Sequence, residues 1–310
     1  MACMQNRRAQ EEPKHRIRAR SREVSDAVFG FLAQLPPISF LALVIFFPLA
    51  QSLYISFFDY SIVRGVFQFV GLDNYRAIWA NPGFATVAMN TVYFTTCSIV
   101  GVMLVGLFVA LVLNENFRGR GVARTLLLLP WALPGIVSGI MWKWIFSGSY
   151  GVLNYVLFSI GAIDNYISFL GDEFWAMPAT IVAYVWKGFP WVALLIMAGL
   201  QSIPKDLYEQ AAVDGASMWR RFSRVTLPLL RGVIVLTLIF ETIWTLRAFD
   251  VIYALTQGGP FGSTTVLGWW IYERSFGALD FGMGAAISWI LTAITVAVTI
   301  LYYRLFYSAV

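Results

Sequence analysis

Apolar positions along this chain fall into long unbroken runs separated by short polar stretches, rather than into alternating positions or narrow helical stripes. Six runs stand out, at about residues 35–58, 87–113, 122–146, 175–199, 229–255 and 283–306, each of at least twenty residues. At 1.5 Å of rise per residue, a helix of that length covers a hydrocarbon core of roughly 30 Å. Where no water is available, a helix satisfies its own backbone polar groups, and the period-two alternation of a membrane β-barrel is absent. The pattern predicts an all-α membrane protein with six transmembrane helices. The third run is interrupted by Pro130 and Pro134, the fourth by Pro178 and Pro190. Neighbouring helices can re-satisfy the carbonyls such prolines free, so both helices are expected to be kinked and to line the bundle. Gly135 and Gly139 form a GxxxG pair, which points to close helix packing.

The polar stretches differ in character. Residues 1–34 form a basic N-terminal tail, and residues 35–310 a membrane region with one long polar loop at 200–228. The apolar run after the tail is too long for a signal-peptide core and reads as an uncleaved first helix. Residues 59–86 carry GLDNY (Gly71 to Tyr75) and the turn-rich Asn81-Pro82-Gly83-Phe84. Residues 147–174 suit a short interfacial helix, and residues 256–282 open on TQGGPFGSTT, a rigid turn cluster. In the 200–228 loop, Pro204 can start a helix through Lys205–Ala212. Leu207 and Ala211, like Tyr208 and Ala212, are i,i+4 neighbours, giving a small-residue face beside an aromatic edge. Asp214-Gly215 is a turn pair, and Ser217 can cap a second helix through Trp219, Phe222 and Val225. The result is a helix-turn-helix on the membrane surface, fit to meet a soluble partner.

Composition agrees with this pattern. The chain is 59% hydrophobic and 13% charged, with a mean hydropathy of +0.69, against about a quarter charged in soluble domains. A net charge of +5 and a pI near 9.2 look like a nucleic-acid or lipid-surface signal until the charges are placed. Seven lie in the tail (Arg7, Arg8, Lys14, Arg16, Arg18, Arg20, Arg22). Others fall in alternate loops: Arg118, Arg120 and Arg124, then Lys205, Arg220, Arg221, Arg224 and Arg231, and finally Arg304. These sixteen face only Arg64, Arg76 and Arg274 on the other side. That bias puts both termini in the cytoplasm and argues for contact with membrane lipid, not nucleic acid. Cys3 and Cys97 are far apart and His15 stands alone in the tail, so neither a disulfide nor a metal cluster is suggested.

The loop spacing resembles the EAA motif of permease subunits of binding-protein-dependent ABC importers. That motif reads Glu-Ala-Ala, three residues, Gly, nine residues, an aliphatic, one residue, Leu-Pro. Glu209, Gln210, Ala211, Gly215, Val225, Leu227 and Pro228 occupy those positions, with Gln210 the one departure. GLDNY, Phe84, Asn90-Thr91, LLLLPWALP of the third run, Trp142 through Phe146, and FDVIYALTQGGPFGSTT from Phe249 are similar to the carbohydrate branch of these permeases. So are Tyr272, Phe276 and Met283-Gly284. This branch includes the maltose, glycerol-3-phosphate and multiple-sugar permeases. The resemblance covers about residue 35 to the C-terminus and implies a type I ABC importer permease (MetI-like) fold in a bacterial inner membrane. It implies a second homologous permease subunit, two ABC ATPase subunits and an extracytoplasmic solute-binding protein as partners. It assigns ATPase coupling to Glu209, Gln210, Ala211, Asp214 and Gly215. It leaves this chain without a catalytic site or cofactor of its own, ATP and magnesium being held by the ATPase. Accordingly, no phosphate-cradling Gly-Lys-Ser/Thr loop occurs in the sequence.

Candidate solute contacts are the polar and aromatic groups inside the runs. An ionisable group at a helix centre costs on the order of 2.5–3.5 kcal/mol in the bilayer, so it should face the bundle or a wet cavity. Trp142 (beside Lys143), Trp186, Lys187, Glu241, Trp244, Arg247, Asp250 and Trp289 are such positions, with Tyr184 and Ser288 in support. Aromatic faces stack on the C–H surfaces of sugars while charged and amide groups take the hydroxyls. Arg247 and Asp250, i,i+3 on a helix, can neutralise one another. The same residues have plainer uses, as interfacial tryptophans and snorkelling lysines. Two other classes stay open: a secondary transporter coupling an ion through Glu241 and Asp250, and a polytopic transferase. The second would need convergent acids, whereas Asp164, Asp172, Glu173 and Asp280 are scattered.

Overall fold

The apolar runs become helices whose ends and breaks are set by polar groups and prolines. The computed structural model describes residues 29–307; residues 1–28 of the basic tail, with Cys3 and His15, lie outside the described residues, while residues 29–34, expected as tail, belong to the first helix. The first span is α1 (Phe29–Ile55), with a π turn at Ala42–Phe46. The chain divides into two units, Met1–Tyr54 and Ile55–Val310, and the second holds all the remaining elements.

The first loop, expected to be rich in turns, also carries a short two-stranded ribbon. Strands β1 (Phe58–Ser61) and β2 (Val66–Phe69) pair antiparallel, with Phe58 opposite Phe69 and Ser61 opposite Val66. Alternating aromatics at Phe58, Tyr60, Phe67 and Phe69 suit such a ribbon, and Phe58 stacks on Phe67 at 4.8 Å. Helix α2 (Asp73–Ala80) comes next. Asn74 of the GLDNY segment donates to the carbonyls of Ser56 and Phe58 at 2.9 and 2.8 Å. The motif thus satisfies backbone groups beside the ribbon that no strand pairs.

Helix α3 (Phe84–Asn114) is the second span. The third departs from a single kinked helix: α4 (Arg120–Ala132) and α5 (Gly135–Ile145) meet at 95°. Pro134 caps α5 in an extended conformation, ψ 142°, and Leu133 before it is extended too, as residues preceding proline prefer. Helix α6 (Val152–Ser159) is the expected short helix of the next loop. Helix α7 (Glu173–Gln201) runs as one helix through Pro178 and Pro190, capped by Asp172, whose carboxylate accepts from the Phe174 and Trp175 amides. The loop forms α8 (Lys205–Val213) and α9 (Met218–Leu229), and α9 meets α10 (Arg231–Leu246) at 66°. The fifth run, expected as one helix to residue 255, stops at Leu246 and resumes as α11 (Asp250–Leu255). Then come α12 (Leu267–Tyr272) and α13 (Phe281–Tyr307), the last span.

Helices α3 and α7 form the centre of this unit through small residues. A Cβ on Gly106 would lie 2.6 Å from Val192 Cγ1, so the backbones touch where a side chain would separate them. Around this contact Val102, Val192, Ile196 and Leu230 are fully buried. The polar pair Asn90-Thr91 on α3 anchors the turn cluster: Asn90 donates to the Gly262 and Thr265 carbonyls, and Thr91 Oγ1 accepts from the Leu267 amide at 2.9 Å.

Candidate functional site

The breaks in the third and fifth spans place side chains from four helices around a cavity of about 370 Å³. Trp131 comes from α4, Tyr184, Lys187 and Trp191 from α7, Glu241 and Trp244 from α10, Arg247 and Phe249 from the α10–α11 break, and Asp250 and Val251 from α11. Three indoles form a ladder along one wall. Trp131 stacks on Trp191 at 5.4 Å with planes 14° apart, and Trp191 meets Trp244 at 5.7 Å. Phe240 extends it beyond Trp244 at 6.3 Å. Together with Tyr184 and Phe249 these indoles make the cavity lining strongly aromatic.

The polar groups are held from behind. Thr245 Oγ1 donates to the Glu241 carbonyl at 2.6 Å, so the Tyr184 hydroxyl, 3.1 Å away, donates to Thr245. Glu241 is 1% exposed, and among the described residues neither its Oε1 nor the buried Trp191 Nε1 has a hydrogen-bond partner. An unsatisfied buried polar group costs about 1–3 kcal/mol. Arg247 and Asp250 make no ion pair, contrary to the i,i+3 expectation, because the helix ends between them. The Asp250 carboxylate instead lies against the backbone at Gly135, where a Cβ would collide with its Oδ2. Gly139 meets Ala254 in the same way, so the GxxxG pair is the seam between α5 and α11.

Five of the eight sequence candidates meet in this cavity: Lys187, Glu241, Trp244, Arg247 and Asp250. Three do not. Trp142 stacks on Phe146 and sets its edge against Trp186, both outside the lining, and Trp289 on α13 is partly buried away from it. Sequence reading missed Trp131 and Trp191. The available signal was their position: each immediately follows a proline of an interrupted span, Pro130 and Pro190.

The 200–228 loop folds as its residues predict. Helix α8 ends at a turn in which Gly215 takes φ +70°, and the Ser217 side chain accepts from the Arg220 amide to start α9. Tyr208 and Thr226 join the two helices through their hydroxyls at 3.0 Å. Glu209, Gln210, Asp214 and Gly215 are exposed and Ala211 is partly buried. Among the described residues no group of His, Cys, Asp and Glu is arranged to hold a metal ion.

Residues 102–308 match the family described as binding-protein-dependent transport system inner membrane component. The chain is 39% identical to the sulfoquinovosyl glycerol transport system permease protein SmoG of Agrobacterium fabrum, over 91% of this chain and 92% of the relative. It is 39% identical to the trehalose/maltose transport system permease protein MalF of Thermococcus litoralis, over 90% and 94%. It is 33% identical to the diacetylchitobiose uptake system permease protein DasB of Streptomyces coelicolor, over 93% and 89%. The fold matches a chain of a bacterial alginate ABC transporter in complex with alginate pentasaccharide-bound periplasmic protein. That match has a TM-score of 0.78 at 22% identity, covering 91% of this chain and 95% of that one. It also matches the MetNI methionine ABC transporter, with a TM-score of 0.51 at 17% identity over 74% and 99%.

Proposed function

This chain belongs to the family of inner membrane components of binding-protein-dependent transport systems, and from that premise we propose that it imports a sugar or sugar derivative through the tryptophan-lined cavity. Membership makes it a multi-pass permease of the inner membrane and a transport subunit, not an enzyme. The transferase alternative falls with that, and so does the need for an ion-coupling role of Glu241 and Asp250. A binding protein delivers the solute to the extracytoplasmic face. A second, homologous permease subunit shares the path, and two ATPase subunits holding ATP and magnesium drive alternating access. Both termini lie in the cytoplasm, following the distribution of arginine and lysine.

The observation that carries the solute class is the aromatic row Trp131–Trp191–Trp244, stacked at its first pair and tilted at its second, which lines one cavity together with Lys187, Glu241 and Arg247. Flat faces take the C–H surfaces of a pyranose, and the charged groups take its hydroxyls. The carbohydrates in the names of SmoG, MalF and DasB support the same class. Glu209, Gln210, Ala211, Asp214 and Gly215 are the ATPase-coupling residues of this reading.

Uptake assays on matched amounts of permease test the cavity. A lost aromatic contact is worth about 0.5–1.5 kcal/mol beyond its area, so Trp244→Ala raises KM by roughly two- to tenfold, and Arg247→Ala also weakens uptake. Both variants assemble with their partners. Unchanged kinetics in both would place the solute elsewhere.

A further inference from the structure

A separate cavity of about 860 Å³ lies between the 200–228 loop and the ends of two spans. That volume falls in the range of roughly 300–1,000 Å³ in which small-molecule sites are found. Leu111 and Asn114 from the last turn of α3 and Leu200 from the last turn of α7 form one side. Lys205 and Tyr208 of α8 and Trp219, Arg221 and Phe222 of α9 form the other. Tyr208 and Thr226, joined through their hydroxyls at 3.0 Å, both line it. Glu209, Gln210, Ala211, Asp214 and Gly215 are absent from the lining, so the cavity and the proposed ATPase-coupling residues use different faces of the helix-turn-helix.

Lys205 and Arg221 bring two positive charges to the lining and Glu115 one negative, which leaves a net of +1. Among the described residues none of the three is in an ion pair, and the buried Nε of Arg221 has no hydrogen-bond partner. An unmet guanidinium donor beside Leu111, Leu200 and Phe222 suits a ligand with an anionic group and an apolar body. The depth agrees. Spans α3 and α7 end at Asn114 and Gln201, so the cavity lies where hydrocarbon gives way to headgroups. Trp219 is 74% exposed and 5.6 Å from Phe222, ring to ring, the placement of an interfacial tryptophan. Arg220 and Arg224 are its neighbours on α9, and Arg118, Arg120 and Arg124 follow α3. Basic clusters at such positions attract anionic lipid.

We propose that this cavity binds an anionic phospholipid of the leaflet that the loop faces. Lys205 and Arg221 hold its phosphodiester, and its glycerol and upper acyl carbons lie on Leu111, Leu200 and Phe222. Such a lipid braces α8 and α9 against the ends of α3 and α7 from the face that docking leaves free. The proposal needs α3 and α7 to span the membrane and nothing of the solute or its cavity.

Photolabelling of the complete transporter, permease pair with ATPase, decides it. The vesicles are phosphatidylcholine with a sub-saturating trace of phosphatidylglycerol that carries a photoactivatable group on an acyl chain next to the glycerol. Light is expected to attach the label within residues 205–226. Replacing half of the phosphatidylcholine by unlabelled phosphatidylglycerol removes the label, and inorganic phosphate does not. Each basic side chain near an anionic headgroup is worth about fivefold, so Lys205→Gln with Arg221→Gln lowers the label roughly 25-fold. Arg224→Gln, outside the lining, leaves it unchanged, and the charge-preserving Lys205→Arg with Arg221→Lys retains most of it. Label that phosphatidylglycerol fails to displace, or that inorganic phosphate displaces, overturns the lipid site, as does full labelling of the double glutamine variant. Label that appears in the permease pair and vanishes once the ATPase joins shows that the cavity belongs to the protein interface, and overturns it too. Competition in the wild type decides the matter even if the glutamine pair does not assemble.

Discussion

Gly135 shows how closely one residue is tied to the site. Its missing side chain is the space the Asp250 carboxylate occupies, and that contact fixes the start of α5 against the break that carries Arg247. Forcing extra volume into a packed seam costs about 1–3 kcal/mol. Gly135→Ala is therefore expected to lower the unfolding midpoint of the purified permease and to reduce uptake. Gly135→Ala combined with Asp250→Ala recovers part of the unfolding midpoint, since the two positions share one contact. An unchanged midpoint in the single variant would show that the seam yields freely. Sequence alone located the GxxxG pair and read it as packing, but not what it packs against. Likewise Lys187, Glu241 and Trp244 were legible as costly or functional groups within apolar runs. Trp131 and Trp191 were not, because an isolated tryptophan in a span reads equally well as an interfacial one. Only the broken third span brings Trp131 onto Trp191.

At the scale of elements, apolar runs gave the second, third, fourth and sixth spans to within a few residues, whereas the first starts at Phe29 rather than 35 and the fifth stops at Leu246 rather than 255. The turn chemistry of Asp214-Gly215 and Ser217 gave the loop. The breaks were harder. Prolines signal interruption without fixing its angle: Pro134 sits in a 95° corner, whereas α7 runs on through Pro178 and Pro190. The end of α10 at Leu246 has no proline at all, and there a hydropathy run continues past the end of the helix. The loop yields a prediction of its own. Gly215 sits at φ +70°, which proline cannot adopt, and Glu209 is an exposed acid on the preceding helix. Gly215→Pro and Glu209→Lys each reduce ATP-driven uptake by roughly 5- to 150-fold, the range of ordinary coupling energies. Both leave the permease in the membrane, as immunoblots of membrane fractions would record. Normal uptake at matched protein levels removes the docking role from this loop.

For the whole molecule, the second unit arranges its helices so that a cavity lined by indoles and charges lies within the membrane-spanning region, while an exposed helix-turn-helix stands on the arginine-rich side. In the proposed function the one site recognises and the other couples, and between them runs α10, which begins at the end of the loop and ends at the cavity. Such a division requires energy from a companion chain. The most direct measurement is uptake of the binding protein's identified ligand into proteoliposomes holding this chain, its permease partner and the ATPase. The account predicts accumulation only with ATP at the nucleotide-binding face and binding protein on the other, and none from a proton or sodium gradient. Accumulation driven by an ion gradient without ATP would contradict it.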